Sequence, residues 1–572
     1  MFLPSLSIQQ TSREMTGAFG GLDRRPVAAD GAFAGMKNLT SDAYPLLSVR
    51  PRRAKLRTLT KPNGLWAHEK LCWVDGTALY YDGEQVGTVA DSPKTFVNLG
   101  ADILIWPDKA RYNTHTGEFS HLEAAATTTG TVTATMCSRL GEPYTGLVVS
   151  SSPPDDPANG AKWLDTSTDP NVLRTYSELT GVWAAVPTVY VKIEADGIGE
   201  EFKELDAVTI SGMTEDSLNG SFVIYGAGED YVIVTGILTA RHTQSAAVTV
   251  SRTVPDMDFL TENENRVWGC SSENHEIYAC ALGDPTNWNR FLGLADDSYA
   301  ATVGSGGDFT GAVTHLGYVL FFKENVIHKM YGSQPAKFQL TNTNCRGVQT
   351  GGEKSIVIVN ETLFYKSPAD VCSYNSALPQ SVSAALGTES MTCTAAGKLG
   401  AKYYICLKDE EGTADLFVYD TARGLWHRED ETRATWMAAC NGDLYFIDGR
   451  DNGLYSVTGR TDRYASGTPA VEGPLEWFAE TGDIGLTSPD AKYVSKLQLR
   501  VEIGDDSLFG IEVKYGDETE FHEVKRLNMA KKTSFSVPIL PRRCDTMRLR
   551  LFGRGSFKLY SLTKTLEQGG DW

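Results

Sequence analysis

At 572 residues, with 41% hydrophobic and 22% charged side chains, the chain exceeds one compact core and has the composition of a folded protein of two to four domains. No apolar run approaches the roughly 20 residues that cross a bilayer, which excludes an integral membrane segment of the helical kind. A formal charge of −19 argues against a general nucleic-acid binder, because affinity for phosphate grows with the number of basic contacts.

In chain order, Met1 to Gln10 is apolar only as far as Ile8 and lacks a basic start and a small-residue cleavage site. It does not read as a secretory leader, and folding in a cytoplasm is expected. Residues 15–53 carry few hairpin signals and are rich in Gly and Ala, so 1–58 reads as an extended arm that orders when it meets a partner. At its end Arg50, Arg52, Arg53, Lys55, Arg57 and Lys61 stand together with no acid between them. The plain reading is a solvated linker. The functional one makes Arg50, Arg52, Arg53, Lys55 and Arg57 a basic rim that touches a neighbouring protein or DNA. On that reading, replacing Arg50, Arg52 and Arg53 with Ser spares folding and impairs assembly.

From residue 59 onward short aromatic and β-branched runs alternate with Gly, Asp and Asn, and no segment keeps a helical period over 15 residues. The pattern predicts antiparallel hairpins and an all-β fold with little helix. The clearest unit is NGDLYFIDG at 441–449 followed by GLYSV at 453–457. Six similar units stand at 71–83, 103–112, 266–279, 318–330, 362–374 and 402–420. A recurrence of this kind marks the blades of a β-propeller; allowing for shared and terminal strands, it predicts roughly six blades, from 59–119 and 255–462.

Residues 120–254 interrupt the train. Runs at 190–193, 207–210, 220–224 and 231–234 alternate as half-buried strands do, so the stretch reads as an inserted β-domain. Its Trp163, Tyr176 and Trp183 are assigned to the small core of that domain, with a receptor-binding surface as the other reading. After a Gly, Pro and Ser-containing link, 463–572 carries longer strands that fit a C-terminal β-sandwich or jelly-roll-like domain.

Motifs that carry chemistry are wanting. The ten cysteines form no CxxC pair, and Cys72, Cys270, Cys280, Cys406 and Cys440 sit among apolar or aromatic residues, as reduced core thiols do; the nine histidines offer no metal spacing. Gly304-Ser-Gly-Gly-Asp308 lacks the Lys-Ser/Thr of a phosphate loop, and Asp296-Asp297 and Asp409-Glu-Glu411 do not alternate as calcium ligands do. No catalytic, cofactor-binding or metal residue is assigned, and the expectation is a non-enzyme without a cofactor. Catalytic carboxylates drawn from distant blades would leave no local trace, so a glycan-cleaving propeller stays open as a rival, although the repeated Ser-x-Asp-x-Gly-x-Thr-Trp boxes usual in sialidases are missing.

The stretch NRVWG at 265–269, with IYA at 277–279 and LGDPTNW at 282–288, resembles bacteriophage tail propellers. These are the hub, nozzle or DNA-stabilisation proteins of short-tailed phages and related prophages. VLFFKE at 319–324, IHKMY at 327–331, CRG at 345–347 and the C-terminal KLQLR at 496–500, PRRCD at 541–545 and KLYSL at 558–562 fit the same family, and the resemblance covers about two thirds of the chain. It implies a homohexameric ring in the virion tail, assembled in the host cytoplasm below portal and adaptor proteins. Such a ring continues or closes the DNA-ejection channel, anchors neighbouring tail proteins or fibres, and touches genomic DNA in passing. An acidic lumen would suit a conduit from which DNA must slide. A receptor-binding or glycan-cleaving tail-tip propeller is the alternative. The arm departs from the family and resembles openings in Gram-positive prophage tail proteins, which leaves short and long tails both open.

Overall fold

A computed structural model describes residues 11–486, 492–505, 507–527, 531–539 and 542–568. Met1 to Gln10 and Pro541, used above, lie outside the described residues. The chain is an all-β protein with the sheets of a β-propeller, and among the described residues its helix amounts to three short 3-10 turns. Six sheets of four strands in chain order form blades 1 to 6, at 62–88, 95–121, 259–302, 311–344, 357–381 and 392–428. Blade 7, at 434–456, has three strands in chain order and takes its fourth from Ala54–Thr58. Seven blades therefore stand where roughly six were expected. All seven hairpins legible in the sequence make their own blade, because the strand that completes the last one comes from the N-terminal segment.

Turn chemistry explains why the hairpins form where they do. Asp82-Gly83 (φ 50° and 96°) and Asn441-Gly442 (φ 51° and 74°) are both left-handed pairs. That is the two-residue hairpin loop whose twist matches the flanking strands. Register closes directly across each, Tyr81 opposite Glu84 and Cys440 opposite Asp443. The hydrophobic faces then pack blade on blade, with Leu65, Leu71 and Trp73 of blade 1 against Tyr445, Ile447 and Leu454 of blade 7.

By contacts the chain divides into two compact units, 1–94 with 307–329 and 341–572, and 95–306 with 330–340. In the first, the C-terminal block forms a two-sheet sandwich together with the N-terminal segment. One sheet runs Leu39–Thr40, Leu47–Val49, Phe557–Gln568, Lys492–Ile503 and Lys531–Val537, and Thr11–Thr16 also pairs with Phe557–Gln568. The other runs Gly21–Leu22, Ala32–Lys37, Glu476–Thr481, Met547–Arg554, Leu508–Tyr515 and His522–Leu527. Between them Trp477 stacks on Phe557 at 4.1 Å and Phe557 on Phe509 at 5.4 Å, centroid to centroid. Within 11–58 the expected free arm is thus corrected: its partner is the C-terminal block of the same chain. Strands of two to six residues carry too few apolar positions to show a period, and the edges they join are built hundreds of residues away.

In the second unit, 124–252 forms three sheets between blades 2 and 3. The stretch opens and closes on one antiparallel pair, Ala124 opposite Arg252, so it leaves and returns at one place. Val191, Ile193, Val208, Ile210, Val232 and Val234 fill its core. Trp288 is buried with Val267 and Tyr278 and meets the Trp106 ring edge-on at 6.3 Å.

Candidate functional site

The basic stretch turns inward. Arg50 and Arg53 lie between the sandwich strand Leu47–Val49 and the blade strand Ala54–Thr58, and their side chains are 2% and 3% exposed. Arg50 donates from Nη1 to Glu472 Oε2 at 2.7 Å, from Nη2 to Asp430 Oδ2 at 3.1 Å and from Nε to Asn38 Oδ1 at 2.8 Å. Arg53 donates from Nη1 to Asp430 Oδ2 at 3.0 Å and Thr432 Oγ1 at 2.7 Å, and from Nη2 to Glu429, while its guanidinium lies over the Phe446 ring at 5.4 Å. Its own backbone N–H donates to Glu472 Oε2 at 2.8 Å. The acids come from the link between blades 6 and 7 and from the residue after Ala470–Val471, the strand that extends blade 7.

This is a clamp of two buried guanidinium groups on three carboxylates, Glu429 buried and Asp430 and Glu472 half-buried. Burial works to raise the Asp430 carboxyl, and the charges of Arg53 and Arg50 override it, holding Asp430 well below the usual carboxylate range. Glu472 is lowered in the same way, with burial opposed by the hydrogen bonds and charge of Arg50. Burial alone would pull Arg53 down, yet Asp430, Glu429 and Glu472 hold its guanidinium above its ordinary value. Such a cluster is costly to desolvate and costlier to break, because removing one partner strands a buried charge.

The expectation that Arg50 and Arg53 contact a neighbour or DNA is corrected by this burial. A window of sequence shows no acid near them, but the acids that take them up lie 377 and 422 residues further along. The remaining cations are also largely taken. Lys55 pairs with Asp451 at 2.7 Å, and Arg57 donates to the Tyr464 carbonyl at 2.7 Å with its guanidinium 4.6 Å over the Trp73 ring. Arg52 alone of the five is exposed.

Two hollows flank the clamp. One, about 240 Å³, is lined by Arg50, Arg53, Lys402, Tyr404, Asp420 and Arg423 among others. Lys402 Nζ is held by Thr40 Oγ1 at 2.7 Å and Asp42 Oδ1 at 2.5 Å, and Arg423 by Asp420 Oδ2 at 2.7 Å. The other, about 340 Å³ and wide open, lies towards Lys37, Arg450 and Glu476. Charges here are matched within the chain. What the arrangement can do is fasten the N-terminal segment to blades 6 and 7.

Trp163, Tyr176 and Trp183 do come together, at 5.5 Å and 5.4 Å between ring centroids, on the small sheet of Val148–Ser150, Lys162–Asp165, Val172–Ser177 and Val182–Ala185. Alternation along the strands sends Leu164 and Leu173 into the insertion's core and the three aromatics to the opposite face. Tyr176 and Trp183 are half-buried there, packed on one another instead of filling that core. Among the described residues no group of three or more His, Cys, Asp or Glu side chains is placed to hold a metal ion. No helix among them is long and apolar enough to cross a membrane.

No family model matches the chain, and no curated protein matches it. Solved structures similar to parts of it include an exo-β-1,3-galactanase from Phanerochaete chrysosporium, at 9% identity and a TM-score of 0.23, covering 53% of this chain and 94% of that one. The WD40 repeats of RRP9 are similar at 8% identity and a TM-score of 0.29, covering 72% of this chain and 98% of that one. At TM-scores this low the likenesses carry no argument about activity.

Proposed function

We propose that the protein is a structural component of a phage tail, a ring-forming nozzle or hub propeller that continues or closes the DNA-ejection channel and works without catalytic turnover. The observation that carries the reading is the lacing of the two ends of the chain. Residues 11–49 add strands to both sheets of the C-terminal sandwich, 54–58 completes blade 7, and the Arg50–Arg53 clamp locks the junction. Force along such a chain meets strand pairing and a buried ion cluster together, a property that serves a load-bearing scaffold. The charge of −19 suits a conduit that must not hold DNA.

On this reading six copies form the ring, portal or adaptor proteins and tail fibres are its neighbours, and genomic DNA passes through. The aromatic face of buried Trp163 with half-buried Tyr176 and Trp183 favours a second reading, a receptor-binding or glycan-cleaving tail tip. Incubation with host cell-wall and capsular glycans separates them: cleavage marks an enzyme, retention without cleavage a receptor binder, and neither is expected of the nozzle. A cryo-EM map of the whole particle with this chain anywhere but in the tail would overturn the proposal.

A further inference from the structure

Blade 3 makes an unusual detour before its last strand, Tyr299–Thr302. The connection 280–298 is long for a propeller turn, and irregular connections of this length usually serve a purpose. Its backbone is held from within. Buried Arg266 donates from Nη1 to the carbonyls of Cys280 at 2.8 Å and Asp297 at 2.5 Å, and from Nη2 to that of Ala295 at 2.9 Å. Arg290 Nε donates to Asp297 Oδ1 at 3.0 Å, and Asp297 Oδ2 accepts the N–H groups of Leu292 at 2.6 Å and Leu294 at 2.9 Å.

On this fixed frame four large apolar side chains face outward, Leu282 48%, Phe291 57%, Leu292 39% and Leu294 48% exposed. At about 180 Å² for a full side chain they present roughly 350 Å² of apolar surface, the size of a functional patch on a monomer. One side of a standard protein interface buries about 800 Å², a little over half of it apolar, so this loop supplies most of that apolar share. Because the frame is already ordered, little freedom is lost on binding.

Charge indicates what sits on it. Two copies of a chain carrying −19 repel over most of their surfaces. Around the loop the charges cancel, with Asp284, Asp296 and Asp297 set against Lys203, Arg290 and Arg266: Lys203 pairs with Asp284 at 3.0 Å and Arg290 with Asp296 at 2.7 Å. A ring also needs two different surfaces on each copy. The second is present on the small insertion sheet, where the edge strand Val148–Ser150 pairs on one side only and its Val148 and Val149 are exposed.

We propose that loop 280–298 is the contact by which one copy of this chain holds the next, its Phe291–Leu294 tip seated on the Val148–Ser150 edge of the second copy. This deepens the ring reading and rests on it. The test uses the full chain and a Phe291→Ser, Leu292→Ser double variant in mass photometry across a dilution series, with thermal melts as the check on folding and Leu294→Ser as a milder second variant. The expected result is a wild-type multimer, unchanged melting, and an apparent Kd raised at least 100-fold in the double variant. Variants that assemble as wild type would overturn the loop's role while leaving the ring intact. A wild type that stays a single chain at every concentration overturns both. A photo-crosslinking phenylalanine analogue at position 291, in a mixture of isotope-labelled and unlabelled copies, should link to residues 139–186 of the other copy; a link elsewhere on it overturns the seating.

Discussion

Replacing Arg53 with Met tests the clamp. The side chain is 3% exposed and its guanidinium contacts both Glu429 and Asp430. Met keeps the apolar stem and removes the charge, together with the guanidinium that lies over the Phe446 ring. Three carboxylates, Glu429 buried and Asp430 and Glu472 half-buried, would then share Arg50 alone. Breaking a buried pair from one side costs about 3–5 kcal/mol, and at about 2–4 °C per kcal/mol the affected transition should melt about 6–20 °C lower at pH 7. The loss should also depend on pH with a definite sign. Despite burial, the arginines hold Asp430 and Glu472 below their ordinary values of 3.8 and 4.5. Their contribution in the wild type is therefore complete above those values and drains away as pH falls below them. The variant has less of that contribution to lose, so the gap in melting temperature should hold from pH 7 down to those values and narrow only below them. Differential scanning calorimetry at several pH values reads both effects, with Arg52→Ser, an exposed arginine, as the unchanged control. A variant melting within about 2 °C of wild type at pH 7 would refute the clamp. The same reasoning reverses the expectation that Arg50, Arg52 and Arg53 can all become Ser without cost to the fold.

Further expectations concern backbone, histidines and thiols. At Gly347 an added Cβ would stand 1.9 Å from the Lys323 carbonyl oxygen, so Gly347→Ala should cost more than Gly442→Ala, where nothing lies within 4 Å and only the positive φ of 74° penalises the change by about 1 kcal/mol; urea denaturation of the two variants checks the order. Burial and the neighbouring Lys402 charge push His427 down to about 4, and burial does the same to His328. Both stay neutral in the fold while the unfolded chain takes up protons, so stability should fall as pH drops from 6.5 towards 4, and His427→Gln should flatten that slope in chemical denaturation. Eight of the ten cysteines are buried and Cys345 and Cys544 are half-buried, so no more than two thiols should react with Ellman's reagent before unfolding.

The hairpins were legible because their signals are local: Asp82-Gly83 and Asn441-Gly442 announce the turn, and the apolar runs beside them announce the strands. The N-terminal segment was not, since Phe33, Met36, Leu39 and Leu47 acquire their burial from the C-terminal strands and from blade 6, hundreds of residues away. Arg50 and Arg53 misled for the same reason. A charge count over a short window measures solvent exposure only when the opposing charges are near in sequence, and here Asp430 and Glu472 are near only in space. The aromatic trio was grouped correctly, but its side of the sheet was decided by Leu164 and Leu173, one step out of phase on the same strands. The outward Phe291, Leu292 and Leu294 had no sequence signature at all, because their direction depends on Arg266 and Asp297 holding the backbone.

The proposed ring of identical copies is open to a direct test. Mass photometry of the full chain, purified and in particle extracts, across a dilution series tests it most directly. A closed species of about six times the 62.4 kDa chain is expected. Only the 62.4 kDa species, in both preparations and at every concentration, would contradict it.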